Sequence, residues 1–339
     1  MTVRIAWVMG DPAGIGAELM AGLLARGEIA TDARVTIIGD RRVLAEGERV
    51  LGVHLDLPVV QDVEAALASN APVVVVDMGN LDPATITRGE VSAAGGRSVL
   101  ENLKTALHLA RDGKVDAITF TPFNKQALKL GGNPFNDELE YMVHELGVDA
   151  AVGEFNVLES LWNARVTSHV PLREVAGLLS VERIVERLAL TDRTMRASGI
   201  AHPRIAVAAL NPHAGEGGAF GDEDDRIIAP AVLAAKAEGL DVEGPFPSDT
   251  VFLKARDGVY DAVLTMYHDQ GQIAIKLLGF ESGVTALGGL PVPITTPAHG
   301  TAYDIAGTGK ANPEPTRRAF AMACTLAAAE RAHPFGENR

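Results

Sequence analysis

Cysteine is nearly absent from this chain: of 339 residues, one, Cys324, carries a thiol. A lone thiol forms no intramolecular disulfide, so a disulfide scaffold is excluded and a reducing, cytoplasmic setting is the expectation. Positive charge is also short, with 30 Lys and Arg against 44 Asp and Glu, a formal net charge of −14. Phosphate backbones are gripped by clustered cationic side chains, which argues against a nucleic-acid partner. Long apolar runs are missing too. The opening run over residues 4–9 ends at Gly10-Asp11-Pro12, too soon for a signal segment or a membrane span, so no membrane partner is expected.

What is present suits a globular enzyme acting on a small molecule. Hydrophobic residues make up 47% and charged residues 22%, enough for a substantial core, and at roughly 150 residues per domain the length suggests about two domains. Apolar runs at residues 4–9, 35–39, 73–76 and 117–120 alternate with helical spacing at 18–24 and 96–111. This alternation predicts βαβ units, hence an α/β fold with a mainly parallel sheet. Further on, residues 164–170, 204–210 and 261–266 read as strands. Residues 180–197 read as a helix capped by Ser180, and an Ala-rich helix is expected from Thr316 to His333.

Three histidines follow strand-like runs: His169, His213 and His268. Open α/β sheets bind ligands beyond the carboxyl ends of their strands, so all three are expected on a functional rim. Three neutral imidazoles with an open position suit Zn²⁺ or another divalent first-row ion. That each is a hydrogen-bonded loop histidine stays open on spacing alone. Gly10-Asp11-Pro12-Ala13-Gly14-Ile15-Gly16 joins the first strand to the first helix, where backbone N–H groups and the helix dipole favour an anion. It is neither a Walker loop nor a GxGxxG fingerprint, and a ligand-free tight turn fits it equally well. The loop Asn211-Pro212-His213-Ala214-Gly215-Glu216-Gly217-Gly218 is polar and glycine-rich. The run from His299 through Asn312 alternates small residues with His, Thr, Asp and Asn, a backbone able to wrap a flat heteroaromatic ligand.

That last run resembles the adenine-binding loop of the isopropylmalate and isocitrate dehydrogenases, and the turn at Gly10 is similar to their N-terminal signature. The chain as a whole resembles the 4-hydroxythreonine-4-phosphate dehydrogenases, the PdxA family of vitamin B6 (pyridoxine) biosynthesis. Six ordered motifs carry the likeness: Gly10 to Gly16, Thr121-Pro122-Phe123-Asn124-Lys125, Thr167 to Leu172, Leu210 to Gly218, Tyr267-His268-Asp269-Gln270-Gly271, and His299 to Asn312.

The resemblance implies two α/β/α domains with a central cleft, like isocitrate and isopropylmalate dehydrogenase. The expected division is a cofactor-side domain, 1–128 plus 297–339, and a metal, substrate and dimerisation domain, 129–296. It implies a homodimer, NAD or NADP as oxidant, and a divalent metal (Zn, Mg, Mn or Co) on His169, His213 and His268. Lys276 matches the family's active-site lysine; Asp249 and Asp269 are candidate partners of the ligating imidazoles. Gly14, His299, Gly300, Thr301, Ala302, Asp304, Ala306, Gly307 and Asn312 are the candidate cofactor contacts. The implied reaction is oxidation of a hydroxy acid, with loss of CO₂ from a 3-oxo acid product.

The substrate pocket departs from the family. Where a Gly-His-Thr-Glu segment holds phosphate, this chain has Phe135-Asn136-Asp137-Glu138, and where the family has an Asn and an Arg it has Thr285 and Ile294. A carboxylate repels phosphate, and a lost guanidinium removes a bidentate contact. Asn136, Asp137, Lys276, Thr285 and Ile294 are therefore the candidate substrate positions. A paralogue is expected, acting on 4-phosphoerythronate, 4-phosphothreonate or an unphosphorylated cis-dihydrodiol carboxylate. The alternatives of other classes are a metallohydrolase, which does not need the loop at His299, and a silent binding protein.

Overall fold

The computed structural model describes residues 2–29, 33–159 and 161–332. Along the chain its strands are β1 (Val3–Val8), β2 (Ala33–Gly39), β3 (Val59–Val60), β4 (Val73–Asp77), β5 (Ala117–Phe120) and β6 (Gly153–Val157). They continue with β7 (Trp162–Arg165), β8 (Ile205–Ala208), β9 (Val242–Phe246), β10 (Ala262–Thr265), β11 (Val284–Gly288) and β12 (Ile294–Pro297). The chain divides into two compact units, Met1–Asp149 with Leu290–Arg339, and Ala150–Gly289.

In the first unit the strands run in the order β3-β4-β2-β1-β5-β12, all parallel. Parallel strands are covered on both faces and so read as continuous apolar runs, which is why β1, β2, β4 and β5 are legible in the sequence. Ile5, Trp7, Ile37 and Leu23 are wholly buried in its core with Phe320, whose ring lies 5.2 Å from that of Trp7. Helices connect these strands, and in Ala93–Arg111 the start is capped locally: Ser92 accepts a hydrogen bond from the Gly95 N–H.

The second unit orders its strands β11-β6-β7-β10-β8-β9. From β7 onward they are parallel, but β6 runs antiparallel to both β7 and β11. The expectation of a mainly parallel sheet missed β6 and β11, whose sequences mix polar and apolar residues because one face carries a polar network described below. The helix Val181–Ala197 begins one residue after Ser180, whose hydroxyl accepts from the Arg183 N–H. The final helix runs Glu314–Ala332, and its expected last residue, His333, lies outside the described residues. Among the described residues no helix is long and apolar enough to cross a membrane.

Candidate active site

In the first unit the turn at residues 10–16 is clasped to the loop at 299–312. The Ile15 N–H donates to the Thr301 carbonyl at 3.1 Å. Gly14 lies so close that a Cβ there would sit 2.9 Å from both Cβ and the carbonyl oxygen of Thr301. Asp11 is 3% exposed; its carboxylate accepts from the Ala13 N–H at 2.8 Å and from the Tyr303 hydroxyl at 2.8 Å. Burial raises the Asp11 pKa against the pull of these bonds, and burial followed by the Asp11 carboxylate raises that of the Tyr303 phenol. Lower down, the Gly307 N–H donates to Glu18 at 2.8 Å, while the other carboxylate oxygen of Glu18 is buried without a hydrogen-bond partner.

Most of the candidate cofactor residues thus lie on one backbone loop against Gly14. Ala302 and Gly307 hold left-handed φ angles of 43° and 77°, which curl it. His299 contacts the Gly300 carbonyl through Nδ1 at 3.0 Å, its Nε2 is buried without a partner, and burial depresses its pKa. Ala306 closes a turn onto the Tyr303 carbonyl, Gly300 and Asp304 are exposed, and the Asn312 side chain accepts from the Glu314 N–H at 3.1 Å at the start of the final helix. Asp11, Glu18 and Tyr303 were not singled out in the sequence. Their partners lie up to 292 residues away, so only the folded chain shows them.

In the second unit His169, His213 and His268 follow β7, β8 and β10, and β10 lies between the other two. These strands are mutually parallel, so the three histidines emerge at one edge. The rings of His169 and His268 face each other with centroids 5.5 Å apart. Asp269 Oδ1 lies 2.7 Å from His268 Nδ1, a contact that orients the ring. The His213 ring lies 6.1 Å from that of Phe220. Its loop is left-handed at His213, Ala214 and Glu216 and at the three intervening and following glycines.

Asp224, fully buried, anchors that loop by accepting from Leu210 N, Asn211 N and Asn211 Nδ2 at 2.8, 3.1 and 3.0 Å. Asp249 is exposed in the first turn of the helix Ser248–Arg256. Imidazole nitrogen suits a divalent first-row ion. Among the described residues no group of three or more His, Cys, Asp or Glu is placed to hold a metal.

Gln270, given no role of its own within the motif Tyr267 to Gly271, ties these strand ends together. Its side chain accepts from Met266 N at 2.6 Å and donates to the Ala209 carbonyl at 2.7 Å and Ser248 Oγ at 2.8 Å. The helix His268–Gly279 places His268, Gln272 and Lys276 four residues apart on one face. Lys276 is exposed. That helix packs close to the sheet because position 271 is glycine: a Cβ there would meet Asn163 Oδ1 at 2.1 Å.

The substrate candidates are carried by several elements. Asp137 caps the helix Glu138–Leu146, accepting from the Glu140 N–H at 2.9 Å, and the Asn136 amide donates to the Glu140 carboxylate at 3.2 Å. With Glu138 and Glu140 also in its first turn, this helix end is already supplied with negative charge. Thr285 is buried in β11 and Ile294 is 0% exposed in β12, so Ile294 presents no surface to a ligand.

A family model described as pyridoxal phosphate biosynthetic protein PdxA matches residues 31–323. A Rhizobium meliloti protein, provisionally named 4-hydroxythreonine-4-phosphate dehydrogenase 2, is 53% identical over 328 residues, covering 97% of this chain and 94% of that one. D-threonate 4-phosphate dehydrogenase of Pectobacterium atrosepticum is 38% identical over 331 residues, covering 96% of this chain and 100% of that one. A solved structure of 4-hydroxythreonine-4-phosphate dehydrogenase from Klebsiella pneumoniae matches with a TM-score of 0.82 at 39% identity, over 96% of this chain and 98% of that one. With a family model spanning most of its length and relatives aligned nearly end to end, this chain belongs to the PdxA family.

Proposed function

We propose that the protein is a nicotinamide-dependent dehydrogenase that oxidises a secondary alcohol of a small, phosphorylated four-carbon hydroxy acid. The observation that carries this reading is the clasp between the turn at 10–16 and the loop at 299–312, which a hydrolase has no use for. A bound nicotinamide would supply the hydride acceptor for the carbinol carbon, with the hydroxyl proton released to solvent. Lys276 sets positive charge beside the reacting oxygen or the substrate carboxylate, and loss of CO₂ follows where the new ketone lies β to a carboxylate. The protein's part is to bind, orient and shield these groups.

A divalent ion on His169, His213 and His268 belongs to the same proposal, but no step is routed through it. Asp269 and Asp249 would orient imidazoles. Thr285 and Ile294 act by what they withhold, an amide and a guanidinium, and Asn136 and Asp137 by turning a helix end away from anions. This charge distribution favours a second reading in which the substrate carries no phosphate.

The deciding experiment offers NAD and Mn²⁺-supplemented enzyme 4-hydroxythreonine 4-phosphate, 4-phosphothreonate, 4-phosphoerythronate and an aromatic cis-dihydrodiol acid, following nicotinamide reduction by absorbance. Reduction with a phosphorylated acid is expected. Reduction with the diol acid alone replaces this reading by the second, and reduction with none refutes both.

For the dinucleotide, Tyr303→Phe removes one hydrogen bond to Asp11 and leaves a buried carboxylate short of a donor. A loss of about 1–1.5 kcal/mol corresponds to NAD binding about tenfold weaker, measured by titration calorimetry; unchanged affinity removes the clasp from the cofactor site.

A homodimer is also proposed. The support is an apolar stripe on the helix that carries Lys276: Ile273 is 62% exposed and Leu277 84% exposed. Such side chains leave water in an interface. Light scattering at micromolar concentration is expected to give twice the chain mass and Leu277→Asp the single mass; a monomeric parent protein rejects the dimer.

A further inference from the structure

Arg165 is an arginine almost without solvent contact, its side chain 3% exposed at the end of β7. Burying a guanidinium is costly unless every nitrogen is used, so such a residue is held by what it organises. Its Nη2 lies 2.6 Å from the Glu154 carboxylate, an ion pair that balances the charge without hydrogen-bond geometry. Its Nη1 donates to Asn156 Oδ1 at 2.9 Å and its Nε to Ser168 Oγ at 3.1 Å. Asn156 Oδ1 also accepts from Gln272 Nε2 at 2.7 Å, and Asn156 Nδ2 reaches Thr285 Oγ1 at 3.5 Å.

Each end of this chain of bonds stops beside a histidine. Ser168 precedes His169. Gln272 stands one helical turn after His268, on the same helix face. Glu154, Asn156, Arg165 and Thr285 come from three adjacent strands, β6, β7 and β11, and Asn156 lies opposite Thr285 in register.

We infer that Arg165 is a positioning residue: one rigid guanidinium fork ties the His169 loop to the His268 helix and so sets the separation of the two imidazoles. The inference rests on the dehydrogenase reading for its catalytic consequence alone. Lysine has the charge but one donor atom, which cannot span Ser168, Asn156 and Glu154 at once.

Three variants test it in the metal-free protein by hydrogen–deuterium exchange. Ser168→Ala is expected to speed exchange severalfold over residues 166–170. Gln272→Leu is expected to do so over 266–275. Arg165→Lys is expected to do both, and to lower kcat by roughly 10–100-fold with KM changed less than threefold, as losses of orienting groups do. Ser168→Ala added to Arg165→Lys should cause no further loss, because the bond it cuts is already gone. Wild-type exchange and kcat in Arg165→Lys would reduce Arg165 to a counter-charge for Glu154 and overturn the inference. Unchanged exchange in both Ser168→Ala and Gln272→Leu, which spare the buried charge, would overturn it if the Arg165 variant does not fold. Should the parent enzyme oxidise no substrate offered, the proposed function falls while the exchange data still decide the strut.

Discussion

His268→Ala is expected to lower kcat/KM by about 10²–10⁴-fold, the range for losing a positioned catalytic imidazole. The ring is prepared for contact at one nitrogen: Asp269 occupies Nδ1 at 2.7 Å, and His169 faces it at 5.5 Å. Removing it leaves Asp269 without the imidazole it contacts. The fold should tolerate the change, since the His268 side chain is 36% exposed and begins a helix rather than filling a core. Steady-state kinetics on the substrate identified above, with thermal unfolding as control, measure it. NAD affinity should stay within about threefold, because the turn and loop proposed to hold the dinucleotide belong to the other unit. Asp269→Asn should cost less, about 10–100-fold, because it misorients the ring without deleting it. Retention of full turnover by His268→Ala would remove the strand-end histidines from the reaction.

The second large effect is on stability. Asp224→Ala is expected to cost about 3–5 kcal/mol, as breaking buried charged networks does. The carboxylate is 0% exposed and satisfies three N–H donors from Leu210 and Asn211, the residues that launch the His213 loop. Without it the partly buried N–H groups of Leu210 and Asn211 lose their acceptor, while the Asn211 side-chain amide keeps only its bond to Glu223 at 2.8 Å. The loop's own turn hydrogen bonds, such as that from the Phe220 N–H to the Gly215 carbonyl, work against strain, for it runs left-handed through His213, Ala214 and Glu216, at about 1–2 kcal/mol per non-glycine residue. Denaturant unfolding should show a lower midpoint. Ala214→Gly, which suits a φ of 55°, should recover part of the loss. An unshifted midpoint in Asp224→Ala would mean that the loop is held from elsewhere.

The legible part of this site was its punctuation. Glycine turns, strand-end histidines and a polar small-residue loop are local features, and six such motifs in order marked the family. Its wiring was not legible. Arg165 read as one residue of a strand, its neighbours Asn156 and Gln272 as unremarkable polar positions, and Thr285 as a candidate substrate contact rather than a member of a network. Nothing in local spacing says that β6 turns antiparallel and sets Asn156 opposite Thr285. Ile294 was a candidate contact by position in the chain, yet β12 encloses it completely.

The sequence by itself determined the strands buried on both faces, the helices with side-chain caps and the α/β class. These follow from burial period and from hydrogen bonds within a few residues of their source. The tertiary structure alone decided which distant groups meet: Tyr303 with Asp11, Arg165 with Asn156, and His169 with His268. Such meetings depend on strand order and register, and on helix approach as close as Gly271 permits, quantities set by the packing of the whole unit rather than by any segment of it.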